Sequence, residues 1–200
     1  MKLAAVAVLC LLASPAMADG PYVGGFVSGG AYGEMGWTGP SSSRKSTMLG
    51  GFAGYGFQAG GLIISPEVRV YGGANDQVRM DSKYIDPLTN HTTTDRLTFR
   101  EPIGASIGAN IGMKIGKFTP YVGASLGLSR IKVESLYTPP GFVFSDSYEE
   151  TDVTQSVRGG LQYDFESYFA RAEVEYRRIR RDFGTYYRKT EVSVGLGMRF

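Results

Sequence analysis

The sequence predicts an all-β chain: an eight-stranded antiparallel up-and-down barrel that crosses a membrane. Three observations predict it. Residues 103–115 alternate without a slip, with Ile103, Ala105, Ile107, Ala109, Ile111, Met113 and Ile115 on one parity and Gly104, Ser106, Gly108, Asn110, Gly112 and Lys114 on the other. Seven further segments of this period recur along the chain, joined by connections that alternate between short and long. Aromatic residues gather at the segment ends.

A period of two places successive side chains on opposite faces of a strand. In residues 103–115 the polar face is too small and hydrophilic to be a core, while the apolar face is bulky enough to need a cover. A soluble barrel packs large apolar side chains inside. The reverse arrangement, apolar outside and polar inside, belongs to barrels surrounded by lipid.

The first segment, about 21–33, has Val23, Val27 and Ala31 on one face and Tyr22, Phe26 and Tyr32 on the other, so its facing stays open. The second, about 47–57, sets Leu49, Ala53, Tyr55 and Phe57 against Gly50, Gly54 and Gly56. The third, about 62–73, sets Leu62, Ile64, Val68 and Val70 against Glu67, Arg69 and Tyr71. The fourth, about 97–115, contains the run above. The fifth, about 119–130, sets Val122, Ala124, Leu126 and Leu128 against Tyr121, Gly123, Ser125, Gly127 and Ser129. The sixth, about 152–164, sets Val153, Val157, Leu161 and Tyr163 against Thr154, Ser156, Arg158, Gly160 and Gln162. The seventh, about 167–177, sets Tyr168, Ala170, Ala172, Val174 and Tyr176 against Arg171, Glu173, Glu175 and Arg177. The eighth, about 187–200, sets Val192, Val194, Leu196, Met198 and Phe200 against Glu191, Ser193, Gly195, Gly197 and Arg199. Each reaches the roughly 9–11 residues that a tilted membrane-crossing strand needs.

Tight turns are expected at Gln58–Gly61, Gly116-Lys117 and Asp164–Glu166. Long loops are expected at about 34–46, 74–96, 131–151 and 178–186. Short turns on one side and long loops on the other is the outer-membrane arrangement. Phe57, Tyr163, Tyr168 and Phe200 fall at the short-turn end beside Phe118, and Tyr176 and Tyr186 near the opposite rim, as interfacial girdles require. Pro66 lies inside the third segment, where a closed barrel has no edge to excuse a missing N–H; a bulge or a later start to the pairing is expected there.

The first residues carry a charge at Lys2, an apolar run from Leu3 to Ala13, and Ser14-Pro15-Ala16-Met17-Ala18. This is a secretory signal, residues 1–18, with cleavage expected between Ala18 and Asp19 and a barrel domain over 19–200. The only cysteine, Cys10, lies in the signal after Leu9, which is not the small residue a lipoprotein signal uses. Disulfides therefore play no part in the mature fold. Without Lys2 the chain has 20 basic and 19 acidic residues, so charge gives no sign of a nucleic-acid partner. The 28 glycines exceed the usual usage of about 7%, but they fall inside regular segments and not in a low-complexity block.

Tyr22–Gly25, Gly50–Gly56, Pro120–Gly127 and the ending Val192–Phe200 resemble the eight-stranded outer-membrane barrel family, the OmpA-like, OmpX-like and opacity-protein group. The resemblance covers essentially all of 19–200. It implies location in the cell outer membrane, a monomer among outer-membrane lipid and lipopolysaccharide, and a terminal Phe200 read by the barrel-assembly machinery. No peptidoglycan-binding domain is expected after Phe200. The family hosts several activities, so it does not fix one.

The inward charges form the main candidate constellation: Glu67, Glu173, Glu175 and Glu191 against Arg69, Arg158, Arg171 and Arg177. An eight-stranded barrel is just wide enough for side chains to fill. Buried charges must pair, so these are expected to plug the lumen, with a gated ion path as the alternative. Glycines on the inward face are expected to make room for large charged partners. Arg178, Arg180 and Arg181 are expected at the outer rim, near lipopolysaccharide phosphates. Asp146, Glu149, Glu150 and Asp152 read as a solvated acidic loop in preference to a calcium site. His91, the only histidine, lacks a companion serine motif, so no catalytic residue, cofactor or metal is expected. The expected role is structural, or surface interaction with a ligand held by the long loops. A narrow passive channel is the alternative, and a lipid-modifying enzyme a more distant one.

Overall fold

The computed structural model describes residues 17–34, 44–73, 78–85, 92–138, 142–180 and 186–200. They form β1 (Met17–Glu34), β2 (Arg44–Ala59), β3 (Leu62–Gly73), β4 (Val78–Ile85), β5 (Thr92–Met113), β6 (Phe118–Thr138), β7 (Phe144–Phe165), β8 (Tyr168–Arg180) and β9 (Tyr186–Arg199). Every pairing is antiparallel. β1 pairs with both β2 and β9, and β3 pairs with β5, so eight strands close into a ring. β4 is not a ninth wall strand. It pairs with the upper part of β5 beyond the rungs that β3 occupies.

All eight predicted segments lie on wall strands. Ile107 (66% exposed), Val122, Leu126, Val157, Val194 and Leu196 face outward. Glu67, Arg69, Arg158 and Arg171 face inward and are buried. The facing of the first strand is now settled: Tyr22 is buried with Phe26 packed beside it, and Val23 and Val27 are exposed, so Tyr22 and Phe26 point into the lumen.

Two-residue turns join β2 to β3 at Gly60-Gly61 and β7 to β8 at Glu166-Ser167. Gly60 and Gly116 adopt φ +64° and +63°, and Glu166 takes 57°, the left-handed region these tight turns use. At this end Phe118 packs tilted against Tyr163 with centroids 5.0 Å apart, Tyr163 lies 6.3 Å from Phe165, and Phe165 lies 6.1 Å from Tyr168. These exposed rings form one belt. Tyr176 is exposed near the other rim.

The long connections differ from expectation. Within 74–96, β4 and the start of β5 are paired strands. Within 131–151, β6 and β7 continue their ladder to Tyr137↔Phe144, leaving 139–143 as the connection. Alternating β-branched and aromatic residues such as Ile131, Val133 and Tyr148 keep this segment strand-competent. A sheet of β4, β5, β6 and β7 therefore rises above the wall. The acidic residues 146–152 lie on β7 and not in a loop.

Pro66 causes neither a bulge nor a late start. The β2–β3 ladder lapses between Gly54↔Glu67 and Phe57↔Ile64, with the same register on both sides, while Pro66 stays opposite Ala109 of β5. The missing donor is absorbed by skipped rungs toward β2. β1 has an irregularity between Ala18 and Gly20, which places the expected cleavage position at a break in the ladder.

Candidate functional site

The lumen is layered from one end to the other by inward positions of the strands. At the short-turn mouth Arg199 reaches Asp164 at 3.0 Å and Asp19 at 3.3 Å, and Lys114 lies 3.8 Å from Asp19. Gln162 donates to Asp164 at 2.8 Å and accepts from Arg171 at 3.2 Å.

Above this, Tyr22, Phe52 and Phe169 form a buried cluster with Phe26 against it. The Arg171 guanidinium lies 4.6 Å from the Phe52 centroid, 5.2 Å from Tyr121 and 5.3 Å from Phe169. Such contacts hold a desolvated cation over the negative faces of rings.

The central layer is an ion network. Glu67 accepts from Arg69 Nε at 2.6 Å, Arg171 Nη1 at 2.7 Å, the Tyr22 hydroxyl at 2.9 Å and Arg158 Nη1 at 3.5 Å. Glu173 accepts both terminal nitrogens of Arg69, at 2.8 and 2.6 Å, together with the Tyr121 hydroxyl and Ser193 Oγ at 3.3 Å. The two-pronged Arg69–Glu173 contact is the strong form of this pairing.

A second network sits higher. Arg177 meets Glu175 at 3.0 Å, Glu191 at 3.2 Å and Glu101 at 3.3 Å, and covers the Tyr71 ring at 4.2 Å. Lys189 reaches Glu191 at 3.3 Å and Glu101 at 3.4 Å. Ser129 donates to Glu101 at 2.6 Å. Ile131, Val133 and Ile179 then form a small buried apolar cluster toward the outer end.

The structure brings all eight sequence-predicted lumen charges together. They join Glu101 and Lys189, so within the two networks Glu67, Glu101, Glu173, Glu175 and Glu191 face Arg69, Arg158, Arg171, Arg177 and Lys189, five against five, while Asp152 and Asp164 are further buried carboxylates. Lys189 was in phase two residues before Glu191 and was readable. Asp152, also buried, was in phase with Thr154 but masked by its acidic neighbours. Glu101 was not readable: the ladder shifts between Arg100 and Ile103, and that irregularity turns an otherwise outward position inward.

The inward glycines make room for charged partners at some rungs, as expected, since Gly30 lies opposite Glu191 and Gly123 opposite Arg158 with those side chains close to where a Cβ would stand, and for rings at others. Across the ladder Tyr22 is opposite Gly54, Phe26 opposite Gly50, Phe52 opposite Gly24, Tyr71 opposite Gly104, Tyr121 opposite Gly160 and Phe169 opposite Gly197. In each pair the ring occupies the space a Cβ on the glycine would need. The glycines thus admit aromatic rings, which share the lumen with the charges. Gly104→Leu is expected to displace Tyr71 and cost roughly 1–3 kcal/mol by overpacking. Urea unfolding in detergent checks this, and an unchanged midpoint would remove the role given to the ring–glycine pair.

Near the short-turn end a cavity of about 20 Å³ is lined by residues including Asn110, Thr119, Tyr121, Gln162, Arg171 and Arg199. That is room on the scale of a single water. Asn110 Oδ1 and Nδ2, Thr119 Oγ1 and Arg171 Nε have no hydrogen-bond partner within the protein. The Nε and Nη2 atoms of Arg158 are likewise without one, and its Nη1 contacts with Glu67 and Glu175 are long, at 3.5 and 4.0 Å. Arg158 is the most weakly held cation of the central network.

The remaining candidates are dispersed. Arg178 is half-buried and Arg180 exposed on β8, while Arg181 and His91 lie outside the described residues. Asp146 is exposed, Glu149 pairs with Arg130, and Asp152 faces the lumen. Among the described residues no three His, Cys, Asp or Glu side chains come together as metal ligands. Phe200 is exposed, and its N–H donates to the Pro21 carbonyl at 3.0 Å, tying the last residue to β1.

A family model for the outer membrane protein beta-barrel domain matches residues 3–200. No curated protein matches the chain. Among solved structures it is similar to Neisserial surface protein A, at 20% identity and TM-score 0.54, over 92% of this chain and 99% of that one. It is also similar to Ail of Yersinia pestis, at 12% identity and TM-score 0.45, over 91% and 99%. The N-terminal β-barrel domain of Pseudomonas aeruginosa OprF matches at 16% identity and TM-score 0.40, over 90% and 97%.

Proposed function

The chain belongs to the outer membrane protein beta-barrel family, and from that premise we propose that it is a structural, surface-presenting barrel whose lumen is closed to solutes. It resides in the cell outer membrane among lipid. The observation that carries the closed-lumen reading is the layered filling: mouth ion pairs, aromatic cluster, two ion networks and an apolar cluster in series. Conduction would require these layers to part together.

The reading assigns no reaction and no cofactor to the barrel. Glu67, Glu101, Glu173, Glu175 and Glu191 are each engaged by a cation, and several by hydroxyl donors as well, which leaves none poised as a free base. Surface presentation is supported by the raised sheet, whose β6–β7 tip exposes Tyr137, Phe142, Phe144 and Tyr148. Such a patch of rings is the kind of surface that engages a ligand.

Planar-bilayer recording tests the closed lumen. Native protein is expected to show negligible conductance. Glu173→Ala removes the anchor of Arg69 while the hydrogen-bonded wall stays closed, so larger and noisier conductance is expected. Well-resolved single-channel openings in native protein would overturn the reading and favour a narrow channel.

The same reading includes export as a monomer. Cleavage after Ala18 would leave Asp19 at the mature N-terminus, within the Arg199 and Lys114 ion pairs. Intact-mass measurement is expected to give that terminus. Deleting Phe200 is expected to slow recognition by the assembly machinery and to remove the hydrogen bond to Pro21; folding at the native rate in cells would count against that role.

A further inference from the structure

The charges of the lumen are not shared evenly between its two networks. Glu67 and Glu173 receive Arg69 and Arg171 directly, and Arg158 reaches Glu67 at 3.5 Å. Glu175 lies 3.5 Å from Arg69 and 4.0 Å from Arg158, but 3.0 Å from Arg177. Placed with its nearest partner, Glu175 belongs to the upper network, where Glu101, Glu175 and Glu191 surround Arg177 and Lys189. The central network then holds three guanidiniums against two carboxylates.

This surplus is visible as donors without acceptors. Arg158 Nε and Nη2 and Arg171 Nε have no hydrogen-bond partner within the protein. Asn110 and Thr119, both 4% exposed, add an amide and a hydroxyl in the same condition. Buried donors of this kind destabilise a fold unless something accepts from them.

The strands bring these groups together. Thr119, Gln162 and Arg171 follow one another across β6, β7 and β8, and Asn110, Gly123 and Arg158 across β5, β6 and β7. A Cβ on Gly123 would meet both Asn110 Oδ1 and Arg158 Nε. The Asn110 oxygen is thus turned toward Arg158, which leaves its Nδ2 end for the cavity of about 20 Å³ that Asn110, Thr119 and Arg171 line. The rings of Tyr22 and Tyr121 also line it. Asp19 is the carboxylate on its wall, and Arg199 at 3.3 Å and Lys114 at 3.8 Å already hold that group.

The space takes one small particle, not a polyatomic oxyanion. A water would bring two donors of its own to a wall already rich in donors. A halide accepts from every side, and its hydrogen bonds are strengthened by charge. We propose that this cavity binds one small monovalent anion of the size of chloride, through Asn110 Nδ2, Thr119 Oγ1 and Arg171 Nε. The ion offsets the surplus cation of the central network and enters from the short-turn mouth, past Arg199 and Lys114. The site does not need a conducting lumen, because the aromatic cluster lies above it.

The full barrel in detergent would be crystallised in sodium bromide, and its thermal midpoint followed in sodium chloride, bromide and gluconate at equal ionic strength, which holds general screening constant. One anomalous bromide peak is expected among Asn110, Thr119 and Arg171. Chloride and bromide are expected to raise the native midpoint above that in gluconate, with saturation. Thr119→Val keeps the shape and removes one donor, so the halide concentration for half the rise should increase about tenfold. Asn110→Asp supplies a fixed negative charge, so its midpoint should ignore halide and, in gluconate, be no lower than that of the native protein. An ordered water with no anomalous signal would overturn the proposal. So would a native midpoint indifferent to halide, which would make any bromide peak an adventitious ion only. An equal halide response in native protein and Thr119→Val would show a general salt effect and overturn the site. A gluconate midpoint of Asn110→Asp below the native one would deny the surplus charge and overturn it as well.

Discussion

Replacing Glu67 with alanine is expected to cost the folded barrel about 3–5 kcal/mol, the usual penalty for stranding buried charges by removing one partner. Its carboxylate is inaccessible to solvent and receives Arg69, Arg171 and Arg158 together with the Tyr22 hydroxyl. Without it the balanced network becomes five cations against four anions. Arg158 suffers most, because its remaining carboxylate contact, Glu175, is 4.0 Å away. Glu67→Gln keeps an acceptor but not the charge, so an intermediate loss is expected. Glu134→Ala on the raised sheet touches partly exposed partners, Lys132 and Arg100, and is expected to change stability little, because exposed ion pairs are screened by solvent. Urea titration of the barrel in detergent separates the three. A Glu67→Ala loss no larger than that of Glu134→Ala would dismiss the network as a stabilising element. Because desolvation offsets much of a buried pair's attraction, Glu67→Met/Arg158→Met should recover part of the loss.

The wall was legible in the sequence because lipid enforces period-two alternation on every strand, and each strand repeats the signal. Residues 103–115 state it without interruption, and Glu67, Arg158, Arg171 and Glu175 inherit their inward facing from it. The heights of the strands were not legible. Above the bilayer both faces of β6 and β7 can be polar, so the ladder from Ile131↔Glu150 to Tyr137↔Phe144 loses the contrast that marks a membrane strand. Glu101 was hidden for a different reason, since one irregularity beside Pro102 reverses parity over a single residue. The lumen rings were visible as letters but not as contents. Phe52 and Phe169 are in phase with inward positions, yet only the register shows each lying over a glycine of the adjacent strand.

Ile107→Arg is expected to destabilise the inserted barrel by roughly 2–4 kcal/mol, the cost of a cation on the lipid face near the bilayer midplane. Ile107 is 66% exposed and lies between Val68 of β3 and Leu126 of β6 in the ladder, both of them outward and exposed. Ile103 and Ile111 flank it on the same face of β5, at 52% and 51% exposure, so the position is well inside the apolar band. A guanidinium there must reach past four residues of strand in either direction to meet a headgroup. Neighbouring Ser106 points inward, opposite Arg69 and Gly127, so Ser106→Thr adds one methyl to a polar lumen and is expected to cost well under half as much. Depth gives a second check: Leu128→Arg, nearer the outer rim and two residues below Arg130, should cost less than Ile107→Arg because penalties on the lipid face fall toward about 0–1 kcal/mol at the interfaces. Reversible unfolding from lipid vesicles reads all three. Equal costs at Ile107 and Ser106 would mean that the register of β5 is displaced by one residue, since a single step exchanges the two faces of the strand.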